Sequence, residues 1–182
     1  QWSPDSRQLL YTVLDADHRP KWVYRHTLGT DPASDALVYD EPDDGFFVDV
    51  DKTESGRFLL ITSHDHVTTE IRVLPAAEPA SEPRVLLPRE PGIEYEASDH
   101  FDHWLLLTNR GAADFRVVTA PLDQPEPEFW QDLVPHQPGR LIQDLVVYQE
   151  YLVRLEISDA LAAIVVRRLA DGVEHTVSFP EA

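Results

Sequence analysis

The residues best equipped for chemistry in this chain are acids and histidines, 33 Asp and Glu and 8 His against 15 Lys and Arg. Five carboxylates sit on or beside short strand-like runs: Asp49 and Asp51, Glu94 and Glu96, and Asp144. Acids two residues apart share one face of an extended chain. Such a pair could attract a cation or take part in acid–base work. Acids are so abundant here that no single pair is diagnostic, and polar residues lining a wet channel would look the same. His64-Asp65-His66 puts two imidazoles on one face of an extended chain, half of a metal site. No third ligand is nominated, and the segment reads as a hairpin tip. Asp99-His100-Phe101-Asp102-His103 reads as a polar turn. Neither a metal nor a cofactor is expected.

Glycine spacing excludes more than the polar residues suggest. The seven glycines are never closer than the 11 residues between Gly45 and Gly56. A nucleophile elbow, a phosphate-cradling loop and a dinucleotide fingerprint all need glycines within a few residues of one another. No catalytic residue is therefore expected within these 182 residues. There is also no cysteine, hence no disulfide framework and no thiol nucleophile. That suits a reducing compartment, so a cytoplasmic location is expected, with the periplasm as the alternative.

The elements that would position these side chains recur. Arg7-Gln8-Leu9-Leu10-Tyr11-Thr12, Arg57-Phe58-Leu59-Leu60-Ile61-Thr62, His103-Trp104-Leu105-Leu106-Leu107-Thr108 and Tyr151-Leu152-Val153-Arg154-Leu155 are four copies of one pattern. The markers Leu9, Leu59, Leu105 and Leu152 are 50, 46 and 47 residues apart. Several short strands in a period of that length are the signature of a propeller blade. In the second period Phe46–Val50, Arg57–Ser63, Thr69–Leu74 and Arg84–Leu87 read as strands, with turns at Glu54-Ser55-Gly56 and His64–Val67. The second run of each period is apolar on both faces, as a strand covered from both sides requires. No stretch carries a convincing capped helical period. The expected fold is all-β: about four blades of four antiparallel strands, with approximate boundaries 1–40, 41–88, 89–136 and 137–182. The first blade lacks its first strand, of which Gln1-Trp2-Ser3 would be the end, giving fifteen strands in all. Asp40-Glu41-Pro42-Asp43-Asp44 reads as a blade-to-blade connection, and Asp171-Gly172 as a tight turn between Ile164–Leu169 and Glu174–Phe179.

The net charge of −18 disfavours nucleic acid and anionic membranes as partners, since both require cationic neutralisation. It could steer basic peptides, or serve solubility alone. The longest apolar stretch, Ala160 to Val166, is far too short to span a membrane. The chain starts at Gln1-Trp2 inside a repeat, so a piece of a longer protein is expected. Blades cut from a ring would leave two faces bare, and self-association through them is expected.

Ser3-Pro4-Asp5-Ser6-Arg7 resembles a turn common in propellers. Val23-Tyr24-Arg25-His26-Thr27-Leu28-Gly29-Thr30 resembles a segment of the prolyl oligopeptidase family, oligopeptidase B branch. The likeness continues through Thr68–Leu74, Leu87-Pro88-Arg89, Glu94-Tyr95, Leu107–Arg110 and Phe115-Arg116. It implies a seven-bladed propeller over an α/β-hydrolase domain that follows it in the same chain and carries the Ser-Asp-His triad. That domain is not among these residues. The implied parent is a serine oligopeptidase cleaving short peptides after Arg or Lys, with this portion gating access. The family is often basic around the loops at Arg89 and Arg110. Here Glu90-Pro91 and Gly111-Ala112-Ala113-Asp114 follow, so an interdomain salt bridge there is not assumed. The alternatives are a non-enzymatic docking scaffold and a carboxylate-based glycosidase on a propeller. Asp49, Asp51, Glu94, Glu96 and Asp144 are the candidate substrate-channel residues.

Overall fold

A computed structural model describes residues 1–178 and is all-β, with fifteen strands and two three-residue 3-10 turns, Pro32–Ser34 and Pro127–Phe129. The strands form four sheets, each antiparallel and each in chain order. The first holds β1 (Gln8–Leu14), β2 (Pro20–Thr27) and β3 (Ala36–Asp40). The second holds β4 (Phe47–Lys52), β5 (Phe58–His64), β6 (Thr69–Pro75) and β7 (Arg84–Leu87). The third holds β8 (Tyr95–His100), β9 (His103–Thr108), β10 (Arg116–Pro121) and β11 (Gln131–Val134). The fourth holds β12 (Arg140–Val147), β13 (Tyr151–Ser158), β14 (Leu161–Arg168) and β15 (Glu174–Thr176). Phe179, expected in the last strand, lies outside the described residues. The chain divides into two compact units, Gln1–Glu94 and Tyr95 onward.

In the first unit, one turn is built twice. Ser3 Oγ accepts from the Gln8 N–H at 3.0 Å, and Ser6 adopts φ 56°. Thr53 Oγ1 accepts from the Phe58 N–H at 3.3 Å, and Gly56 adopts φ 74°. The side-chain oxygen replaces a backbone partner and the left-handed residue reverses the chain. Trp2 forms an isolated bridge to Leu9, so the residues before the Ser3 turn pair with β1. Leu10 and Val23 pack with Val48, Leu59, Ile61, Leu74 and Ala76 into one core joining the first two sheets.

The second unit repeats the plan. Leu105, Leu107, Val117 and Val134 pack with Ile142, Leu145, Val147 and Leu152. Every residue of β9 from Trp104 to Thr108 is buried, which fits its unbroken apolar run. By contrast β13 alternates, with Leu152, Arg154 and Glu156 buried and Val153, Leu155 and Ile157 half-exposed. Only one face of that strand is covered. The β13–β14 hairpin closes through Asp159 (φ 51°) and Ala160 (φ 62°), a two-residue turn whose hand matches the strand twist.

One recurrent feature was not legible in the residues. The outermost pairing of each of the first three sheets carries a register shift, at Val23/Tyr24, Ile71/Arg72 and Val117/Val118. A bulge there bends the outer strand and adds local twist.

Candidate functional site

The five carboxylates lie where the repeat placed them, on or beside the first strand of their sheets. Asp49 and Asp51 are exposed on β4, on the face opposite buried Val48. Asp49 Oδ2 is 3.1 Å from His64 Nε2, and Asp51 Oδ1 accepts from Gln1 Nε2 at 3.1 Å. Glu94 is half-buried just before β8, and Glu96 is exposed on β8. Asp144 is exposed at the register shift of β12, where its Oδ1 accepts from the Leu145 N–H at 2.7 Å. In the second unit β12 adjoins β8, so the strands bearing Glu96 and Asp144 are neighbours. Asp144 also rims an open depression of about 230 Å³ walled by Val146, Val153, Leu155 and Ile164.

The histidine motifs have structural partners. Asp65 Oδ1 accepts from the Val67 and Thr68 N–H groups at 2.8 and 2.7 Å, so Asp65 shapes the β5–β6 turn. His66 is exposed at that tip. His100 Nε2 is 2.9 Å from the Gln149 carbonyl, and His103 Nδ1 is 2.8 Å from Asp102 Oδ1. His26 Nδ1 is 2.8 Å from Asp35 Oδ1, and Tyr11 donates to Asp35 Oδ2 at 2.7 Å. This trio has the histidine–carboxylate half of a triad, but its third member is a phenol on the same carboxylate rather than a serine on the histidine.

The Asp40–Asp44 segment is more than a connection: its Glu41 is completely buried. Tyr39 Oη donates to Glu41 Oε2 at 2.7 Å, Arg89 Nη2 does so at 2.7 Å, and the Asp43 N–H donates to Oε1 at 3.0 Å. Ser63 Oγ donates to Oε2 as well. Arg89 bridges onward to Glu70, whose Oε2 accepts the Arg89 N–H at 3.0 Å, and its guanidinium lies 4.0 Å from the Phe46 ring centroid. Arg72 pairs with Glu70 and stacks 4.2 Å from the Tyr39 ring centroid. Residues from β3, β5 and two connections thus meet on one carboxylate, and β6 joins the network through Glu70 and Arg72. Arg89 is spent on this network inside the first unit.

Burial by itself would raise the Glu41 pKa, but the donors from Arg89, Ser63, Tyr39 and Asp43 outweigh it and bring it down to about 2. Burial and the Glu41 charge push the Tyr39 phenol up to about 12. The folded pKa of Glu41 lies below that of an unfolded glutamate. Its stabilisation is therefore complete above about pH 4.5 and is lost as pH falls toward 2, on the order of 3 kcal/mol in all. Acid titration of the wild type should show this loss between those limits. In Glu41→Gln the acid limb should flatten, and an unchanged limb would assign the acid sensitivity to other carboxylates.

A second buried charge lies in the fourth sheet. Arg154 is 1% exposed, donates through Nε to Glu156 at 2.9 Å, and grips Glu174 on β15 at 3.0 and 3.2 Å. Arg167 reaches the same Glu174 at 2.8 Å. No residue of β15 is buried, so this grip and the β14 ladder hold the strand. None of these clusters gathers a nucleophile, a base and an oxyanion site, and among the described residues no three metal-ligating side chains come together.

The family profile described as the N-terminal β-propeller domain of prolyl oligopeptidase matches residues 1–182. Dipeptidyl aminopeptidase BI of Pseudoxanthomonas mexicana is 36% identical over 182 residues, covering 99% of this chain and 25% of that protein. Protease 2 of Moraxella lacunata is 29% identical over 181 residues, covering 100% of this chain and 26% of its own. Among solved structures, oligopeptidase B of Trypanosoma brucei, closed with covalently bound antipain, superposes with a TM-score of 0.90 at 26% identity, covering 99% of this chain and 27% of that one. Oligopeptidase B of Leishmania major does so with a TM-score of 0.90 at 27% identity, covering 99% and 26%. The chain spans about a quarter of the length of the relatives it matches.

Proposed function

The chain belongs to the prolyl oligopeptidase family, as N-terminal β-propeller domain, and from that premise we propose that it gates a serine oligopeptidase cleaving short peptides after Arg or Lys. The observation that carries this reading is the likeness along nearly the whole chain to two oligopeptidase B structures. In the proposed parent an α/β-hydrolase domain of the same polypeptide supplies the serine, and these residues restrict and steer what reaches it. The parent is proposed to work in the cytoplasm. The relative named a dipeptidyl aminopeptidase favours a second reading, release of dipeptides from a free N-terminus.

Both readings are separated by assaying the full-length protein. With N-blocked chromogenic peptides ending in Arg, Lys, Ala or Pro, the first reading expects kcat/KM at least about tenfold higher for the basic residues, one ~1.4 kcal/mol contact. Equal rates for Arg and Ala would remove the basic specificity. Activity confined to unblocked substrates would favour dipeptide release.

The candidate channel carboxylates are proposed to steer basic peptides. In the full-length protein, Asp49→Asn, Asp51→Asn, Glu94→Gln and Asp144→Asn combined should lower kcat/KM for an arginyl peptide by about two- to fivefold at low salt. That loss should fade near 0.5 M salt as the field is screened over a few ångströms. Identical low-salt rates would leave the −18 charge as a solubility feature.

A further inference from the structure

At one end of the third sheet is a cavity of about 320 Å³ that the peptidase reading does not use. That volume is at the lower end of small-ligand pockets and suits one long side chain. Its walls come from β9, β10 and the connection into β11. Phe129 and Trp130 supply two aromatic rings, and His103, Thr119 and Gln131 supply polar edges. Phe129 is 38% exposed although it has no solvent-facing polar atom. Trp130 is fixed, because its Nε1–H donates to the Pro125 carbonyl at 2.8 Å. Glu128 completes the lining, and its carboxylate pairs with no cation among the described residues.

No lysine or arginine lines the cavity. Arg116, which lies beside Trp130, is committed elsewhere: its Nη1 pairs with Asp132 at 3.0 Å. Its guanidinium lies 5.8 Å from the Trp130 ring centroid, so this indole already serves one cation of the chain. Two rings beside an uncompensated carboxylate, in a protein of net charge −18, match a flat cation on a flexible stem.

We propose that this cavity is a binding site for the arginine side chain of a peptide, the guanidinium stacking on Phe129 and Trp130 and pairing with Glu128. Arginine suits it better than lysine because a planar guanidinium can stack and pair at once, whereas an ammonium is a more strongly hydrated point charge. An exposed aromatic contact and an exposed ion pair are both modest, so a single residue should bind with a Kd on the order of millimolar. The proposal does not depend on what the parent protein cleaves.

The test uses the full-length protein labelled with 5-fluorotryptophan and titrated with N-acetyl-arginine amide, followed by fluorine NMR. The Trp130 resonance is identified by its loss in Trp130→Phe or, if that variant does not fold, by its displacement in Phe129→Ala. The resonance should move saturably with the arginine derivative and much less with the neutral isostere N-acetyl-citrulline amide. Glu128→Gln, a change at an exposed position, should weaken binding about threefold or more. The proposal is overturned by equal shifts with arginine and citrulline, by equal affinity in Glu128→Gln, or by no shift up to about 50 mM ligand, far above the expected Kd.

Discussion

Replacing Glu41 with Ala should destabilise the first unit by about 3–5 kcal/mol, the usual cost of removing one partner from a buried ion pair. The carboxylate is fully buried and accepts from Tyr39, Ser63, Arg89 and the Asp43 backbone. Alanine would strand three side-chain donors and leave the Arg89 charge leaning on Glu70 alone. The effect should spread across strands, because Tyr39 is on β3, Ser63 on β5 and Arg89 follows β7. Glu41→Gln keeps one acceptor oxygen and the side-chain volume but loses the charge and turns the other oxygen into a donor, so it should cost less than Ala without being neutral. The double variant Glu41→Met with Arg89→Leu should recover part of the loss, since an apolar pair leaves fewer stranded groups. Hydrogen exchange in the full-length protein would read this at the β5 amides, whose protection should fall together in Glu41→Ala. A drop below about 1 kcal/mol would mean that water replaces the carboxylate at little cost.

The parts of this structure that were legible in the sequence are those that depend on local pattern. Leu9, Leu59, Leu105 and Leu152 each sit in the second strand of a blade, where the apolar run recurs; β5 and β9 are buried almost throughout, as expected, whereas β1 and β13 are covered on one face only. In the structure they fall on β1, β5, β9 and β13. The Trp2 bridge to Leu9 was legible for the same reason, because a Ser-Pro-Asp-Ser turn implies a strand on either side of it. Glu41 was not legible. A glutamate among Asp40, Asp43 and Asp44 looks solvated, and only the packing of β3, β5 and the Arg89 connection encloses it. The one local trace was Ser63, a polar residue closing an otherwise apolar run and completely buried. Arg154 and Glu156 left a clearer trace, charges two apart within Tyr151–Ser158. Alternation put both on the covered face of β13, where burial and ion pairing coincide. The outer-strand bulges left none, since a register shift depends on two strands rather than one.

The 182-residue chain expressed alone should self-associate, chiefly through the fourth sheet. The exposed side of that sheet carries Val146, Val153 and Val166 in one row, Leu155 and Ile164 in the next, and Ile157 with Ala162 beyond. All are apolar, and nearly all are only half-buried. The free side of the first sheet is different. Leu9, Tyr11, Val13, Trp22 and Tyr24 share it with His26, and Asp35 ties His26 to Tyr11. Polar groups that already have partners make that side less costly to wet. If the fourth-sheet face presents on the order of 500 Å² of apolar surface, its burial is worth at most about 12 kcal/mol before the cost of association, against the roughly 8 kcal/mol that pairing at micromolar concentration requires. Sedimentation velocity should then show dimers or larger species for the isolated chain. Leu155→Lys, placed at the centre of the fourth-sheet face, should shift them to monomer, whereas Tyr24→Lys on the first sheet should shift them less. In the full-length protein Leu155→Lys should instead destabilise the fold, because the same face would there be covered. A well-folded monomer of the unmodified chain would show that half-burial already satisfies this face. Equal responses to the two lysine variants would remove the distinction between the two sheets.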